Sequence, residues 1–196
     1  MILKRKFYEC DTLKVARELL GCFLVRKLDK KIIRGIITET EAYVGEDDLA
    51  CHASKGRTPR TEIMYGKAGR AYVYMIYGMY HCLNIVTENK DFPAAVLIRK
   101  LANISELKAN SRKFKKIEAV ELNGPGKLCK FLKIDRKLNG SDITKKGKLW
   151  VASPRLVRLG RKKLIKKNIV ASKRIGIDYA EHCKNYLWRF LLKSEK

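Results

Sequence analysis

Residues 71–87 read AYVYMIYGMYHCLNIVT, two β-branched and aromatic runs (71–77 and 80–87) divided by Gly78-Met79. Runs of that composition on either side of a short turn specify an antiparallel hairpin. A third apolar run, 94–101, follows after a short polar connection. Upstream, 22–28 and 32–38 form a second pair of strands joined through Asp29-Lys30-Lys31. Before them Asp11 reads as an N-cap, Leu13, Ala16, Leu19 and Leu20 as a helical apolar face, and Gly21 as its stop. Residues 103–121 are expected to form a polar helix burying Ile104, Leu107 and Phe114. Gly124-Pro125-Gly126 opens a short helix through Leu132, and a last strand is expected over 149–152, before a basic stretch at 155–174. Strands and helices do not alternate regularly, so the expected class is α+β, with one domain over 1–196 built on a curved, mostly antiparallel sheet, surrounding helices and a protruding β-hairpin.

Charge narrows the function. The chain of 196 residues carries 44 Lys and Arg against 20 Asp and Glu, a formal +24. Such a field draws polyanions, which makes nucleic acid the leading partner. No apolar run approaches the roughly 18 residues of a membrane helix. The first residues, MILKRKFYEC, lack a signal-peptide apolar core. An intracellular monomer away from membranes is expected. The six cysteines, at 10, 22, 51, 82, 129 and 183, form no C-x-x-C and mostly lie in apolar surroundings, so free thiols and no metal or cofactor are expected.

The densest chemistry lies in 39–52, ETEAYVGEDDLACH. Glu39 and Glu41, two apart at a strand end, share one face, and burial of one would shift it toward general acid or base work. Tyr43 and His52 follow. Downstream, Tyr72 and Tyr74 face one side of their strand, while Tyr77 sits at the opposite parity near the hairpin tip with Met79 and Tyr80. Tyrosines on one face can line a slot where a base stacks, and one at an exposed tip can enter a duplex step. Three readings stay open on residues alone: an enzyme working on an extruded nucleotide, a basic binding module whose tyrosines only stack, and a metal-dependent nuclease built on Glu41, Glu46, Asp47 and Asp48.

Those same residues carry a resemblance. The stretches 37–86, AAVLIRKL at 94–101, NGPGKLCKFLKI at 123–134 and KRIGIDYAEHCKNYLWRF at 173–190 strongly resemble, in order and from the ARELLG helix at 16–21 onward, the alkyladenine (3-methyladenine, methylpurine) DNA glycosylase family. The resemblance implies excision of alkylated or deaminated purines from double-stranded DNA by hydrolysis of the N-glycosidic bond, leaving an abasic site. It implies that Glu41 activates the water, with Arg99 beside it. Tyr43, His52 and Tyr74 would wall the flipped base, and Asn84 would exclude guanine at the floor. Tyr77 would fill the gap in the duplex, with Met79 and Tyr80 beside it. Gly126 and Lys127, in the GPGKL segment, would lie near the DNA, where helix-start amides meet phosphate. Leu187 stands where bacterial members often carry proline.

Overall fold

The computed structural model describes residues 1–108, 111, 113–118, 120, 122–154 and 168–193. Its centre is a ten-stranded sheet in which all pairs are antiparallel. Two long strands dominate: β2 (Lys31–Val44) and β5 (Ala94–Lys108) pair along most of their length. Outward from β5 lie β4 (Tyr80–Val86) and β3 (Ala71–Ile76); outward from β2 lie β1 (Phe23–Leu28) and β8 (Leu149–Ala152). Further along the same edge of β2, residues 39–41 pair with β10 (Arg189–Leu192), which carries β9 (Ile169–Ser172). Two-residue strands β6 (Lys115–Lys116) and β7 (Leu122–Asn123) add to β5.

Helices cover this sheet. A single turn, α1 (Arg5–Tyr8), precedes α2 (Thr12–Leu19), whose expected N-cap holds: Asp11 accepts from the Lys14 N–H at 2.8 Å. Ala16 and Leu19 of α2 are buried in the core, and Thr40 of β2 donates to the Ala16 carbonyl at 2.9 Å. The third helix, α3 (Pro125–Leu132), starts at Gly124 as expected and buries Leu128, Cys129 and Leu132. No helix among the described residues is long and apolar enough to cross a membrane. All six cysteines are free.

One expectation fails. Residues 103–108 continue β5, and 115–116 form β6; no helix spans 103–121 among the described residues. The misleading signal was the three-residue spacing of Ile104 and Leu107, which in β5 fall on opposite faces, Ile104 buried and Leu107 half-buried. In β5 both Leu101 and Ile104 are fully buried, because the register shifts opposite Gly35, where Arg34 pairs Ser105 but Ile36 pairs Ala102. The one extra residue makes a bulge, with Asn103 at φ +49, and a bulge returns side chains three apart to the same face. Gly35 belongs to the same arrangement: a Cβ there would lie 2.5 Å from Ile104 Cδ1. Phe114, expected on that helix, instead lies half-buried over the Arg34 guanidinium, 3.8 Å from centroid to Cζ. Most of the expected basic stretch, 155–167, lies outside the described residues.

The hairpin of β3 and β4 forms, but its turn begins one residue earlier than expected: β3 ends at Ile76, which pairs with Tyr80, and Tyr77 belongs to the turn and not to the strand. Its turn closes with Met79 N–H donating to the Ile76 carbonyl at 3.2 Å, and both central residues, Tyr77 and Gly78, have positive φ (+51 and +67). Two successive left-handed residues at the centre of a turn are the backbone that Asn-Gly adopts most readily. A tyrosine in the left-handed region is held there at a cost of about 1 kcal/mol or more, the kind of strain found where a side chain serves a ligand.

Candidate active site

Between β2, β3, β4, β5, the start of α3 and the loop at 174–179 lies a cavity of about 320 Å³, within the range of small-molecule sites. Tyr43, His52, Tyr74, Tyr77, Asn84 and Arg99, six of the residues singled out from sequence, line it together. The alternation of β3 and β4 explains the arrangement: Tyr72 pairs with Asn84 and Tyr74 with Cys82, and all four line the cavity.

Glu41 lies behind this wall with no solvent exposure. Its Oε2 accepts from the Tyr43 hydroxyl at 2.9 Å and from Arg99 Nη1 at 3.1 Å, and its Oε1 accepts from the backbone N–H of Ile175 at 2.8 Å. All three donors belong to residues that line the cavity. Burial pushes the Glu41 carboxyl above its ordinary value, while Arg99, the Ile175 N–H and the Tyr43 hydroxyl pull against that rise. Of the four or so acceptor positions of a carboxylate, three are filled, leaving one on Oε1. Burial and the neighbouring Glu41 raise Tyr43 well above its usual range, so the phenol stays a donor.

The paired carboxylates do meet, through one cation. Arg99 Nε donates to Glu39 Oε1 at 3.1 Å while its Nη1 reaches Glu41, and Arg189 Nη1 donates to the same Glu39 oxygen at 3.1 Å. Two guanidiniums therefore balance two carboxylates, with Glu39 fixing the plane of Arg99 against Glu41.

Opposite, His52 Nδ1 and the Tyr72 hydroxyl are 2.8 Å apart, and the imidazole meets Tyr74 edge to face at 4.5 Å between centroids. Burial, helped by the nearby charge of Arg60, lowers His52 to about 4, so it is neutral at ordinary pH. Asn84, 3% exposed, donates from Nδ2 to the Tyr72 carbonyl at 3.4 Å, a long contact. It leaves the other side of the amide to the cavity.

The remaining candidates surround the mouth. Tyr77, Met79 and Tyr80 are 85%, 67% and 40% exposed at the hairpin tip. Tyr80 packs on the start of α3, where a Cβ at Gly126 would lie 3.1 Å from its ring, and Lys127 next to it is exposed.

Sequence reasoning missed a second buried network. Arg174, fully buried in its side chain, donates to both oxygens of Asp48 (2.6 and 2.8 Å), to the Ala42 carbonyl (2.9 Å) and to the Cys183 carbonyl (3.2 Å). Its guanidinium also faces the Tyr43 and Trp188 rings at 4.9 and 5.0 Å. This anchor sets the next residue, Ile175, with its N–H on Glu41. The sequence offers Asp48, with Glu46, Asp47 and Glu41, as possible metal ligands. They are used apart: Asp48 holds Arg174, Glu46 accepts from the Tyr65 hydroxyl, Asp47 is exposed and Glu41 is occupied as above. No group of three or more metal-type ligands gathers among the described residues. The only sequence signal for Arg174 was its place in the KRIGI run.

Comparison with known proteins agrees with this geometry. The family model for methylpurine-DNA glycosylase matches residues 6–196. Among curated relatives, proteins provisionally named 3-methyladenine DNA glycosylase are similar along nearly their whole length. One from Methanocella arvoryzae is 48% identical, covering 98% of this chain and 93% of the relative. Another from Clostridium perfringens is 44% identical, covering 100% and 98%, and one from Desulfitobacterium hafniense is 45% identical, covering 99% and 96%. A match of that extent, over a chain whose cavity gathers the residues that carried the resemblance, places this protein in the methylpurine-DNA glycosylase family.

Proposed function

We propose that this protein is a monofunctional DNA glycosylase that extrudes a damaged purine from duplex DNA, holds it in the aromatic cavity and hydrolyses its N-glycosidic bond with a water activated by Glu41. One observation carries the reading: a fully buried carboxylate whose three hydrogen-bond donors, Tyr43, Arg99 and the Ile175 N–H, all line the cavity. A module that only stacked bases would have no use for a buried carboxylate there.

The remaining acceptor position on Glu41 suits a water, with Arg99 orienting both. As the C1′–N bond breaks, its electron pair leaves with the base, the water oxygen bonds to C1′, and Glu41 takes the water proton. General-base assistance of this kind is typically worth about 10²–10⁴-fold. A purine alkylated on N3 or N7 already carries positive charge, so it leaves neutral without protonation, and electron-rich tyrosine faces favour the cation by ~0.5–2 kcal/mol. Damaged pairs also cost less to open. Hypoxanthine and etheno-adenine are within the proposed range as slower substrates, since they need a proton and the neutral His52 does not offer a cationic acid. Asn84 is assigned to exclusion of guanine, Tyr77 to the gap left in the duplex, and Met79, Tyr80, Gly126 and Lys127 to the surrounding DNA. The protein is proposed to act as a monomer in the cytoplasm of a prokaryote.

The test is incubation with duplexes bearing a 3-methyladenine analogue, hypoxanthine or etheno-adenine in the presence of a chelator. Free base released with the strand intact until alkali is added supports the proposal. Strand scission without alkali, or no base release from any of the three, refutes it.

A further inference from the structure

Beyond the base cavity, a separate concavity of about 420 Å³ lies along the outer edge of β3, lined by Arg60, Met75, Arg136 and Asn139 with Tyr72 and Tyr74 at its back. Among the described residues β3 is an edge strand, paired only with β4. Its outward backbone groups are partly covered: the Ala71 N–H donates to the Ser141 carbonyl and the Val73 N–H to Asn139 Oδ1, both at 2.9 Å. By the alternation of an antiparallel pair, the next outward N–H is that of Met75, and it opens into this concavity. The Asn139 side chain, having used its oxygen on Val73, presents its NH₂ there.

The charged side chains that line this hollow are both cationic. Neither arginine meets a carboxylate among the described residues, and no acid lines the concavity. Asp135, next to Arg136 in sequence, is turned to the Lys137 N–H at 2.9 Å. Arg60 lies over the Tyr74 ring, 5.1 Å from its centroid, and reaches the Tyr72 hydroxyl. Arg136, Arg60 beyond its contact with Tyr72, the Asn139 NH₂ and the Met75 N–H bring donors and positive charge together with no carboxylate against them, the pattern that suits phosphate oxygens.

Resting on the glycosylase reading above, we propose that this concavity binds one phosphodiester of the damaged strand beside the extruded nucleotide. Tyr72 and Tyr74 line both hollows, so a base inside and a phosphate outside are separated by the thickness of a side chain. That spacing fits a nucleotide and its own flanking phosphate. The grip also acts at the place where extrusion must be held against the duplex.

Arg136→Ala and Arg60→Gln, each checked for an unchanged melting temperature, are measured for affinity to a lesion duplex across a salt series. Each variant is then tested on duplexes carrying a single neutral methylphosphonate, stepped along the damaged strand and, separately, along the opposite strand. Arg136→Ala is expected to weaken binding about tenfold at low salt and to reduce the slope of log K against log salt by about one. At one damaged-strand position next to the lesion the methylphosphonate should weaken the wild type to the same extent and leave nothing further for Arg136→Ala to lose. Both variants binding as the wild type, or a penalty that persists at every damaged-strand position, overturns the proposal. A penalty abolished only by an opposite-strand position overturns it as well. Base release by the wild type is scored in the same reactions, so failure of the phosphate site is distinguishable from failure of the glycosylase reading.

Discussion

Asp48→Asn should be among the most damaging single changes outside the reacting groups. Asp48 is 2% exposed and holds both arms of the fully buried Arg174 at 2.6 and 2.8 Å. An asparagine keeps the shape but presents one acceptor and no charge, leaving a buried guanidinium with two carbonyls and two ring faces. Breaking a buried ion pair on one side costs about 3–5 kcal/mol, against a total stability of about 5–15 kcal/mol. For a chain of this size each kcal/mol moves the melting temperature by about 2–4 °C, so a drop of about 6–20 °C is expected by differential scanning fluorimetry. The same change loosens the segment that sets the Ile175 N–H on Glu41 at 2.8 Å. Misplacement of a catalytic group by an ångström can cost about 10²-fold, and single-turnover base release at a temperature where the variant remains folded should fall by that order. Asp48→Asn combined with Arg174→Met removes the stranded charge, and should recover much of the melting temperature without recovering the rate. An Asp48→Asn protein that melts within about 2 °C of the parent and releases base at the parental rate would refute this reasoning.

Tyr77→Asn should abolish most base flipping, read by fluorescence of a reporter base, yet hold or raise the melting temperature, because Tyr77 is 85% exposed and its positive φ, followed by Gly78, suits Asn; a destabilised variant would mean that Tyr77 is a packing residue. Asn84→Ser should raise excision of guanine relative to hypoxanthine by about tenfold to two-hundredfold opposite the same partner, and an unchanged ratio in a folded variant would make Asn84 a structural amide. His52, held at about 4 against an ordinary 6.5, stays unprotonated in the fold while the unfolded chain takes up a proton. Stability should therefore decline as pH falls from 6.5 toward 4, by on the order of 2 kcal/mol given its partial exposure, and His52→Gln should flatten that decline in urea titrations.

The parts of the fold legible in sequence were those set by neighbours in the chain. The Asp11 cap and the Gly124-Pro125 helix start each depend on a few consecutive residues, and both formed where expected, while the hairpin turn formed one residue earlier than Gly78-Met79. The extension of β5 past Leu101 was not legible, because Ile104 and Leu107 stand three apart as they would on a helix, and what holds them in a strand is pairing with residues 31–34, far upstream in the chain. The tyrosine slot could be anticipated, since one strand face gathers Tyr72 and Tyr74. The Asp48–Arg174 pair could not. It joins residues 126 apart, and among so many cations only the folded chain reveals which are taken out of water.

The central claim is that Glu41 activates the water. Its most direct test is Glu41→Gln in single-turnover assays on a 3-methyladenine-analogue duplex, with binding to the same duplex measured in parallel. The amide keeps the shape of a group that accepts from Tyr43, Arg99 and the Ile175 N–H, but it cannot take a proton. The account predicts binding within a few-fold of the wild type and base release slowed by about 10²–10⁴-fold. Base release within a few-fold of the wild type, by a variant that binds and melts normally, would contradict it.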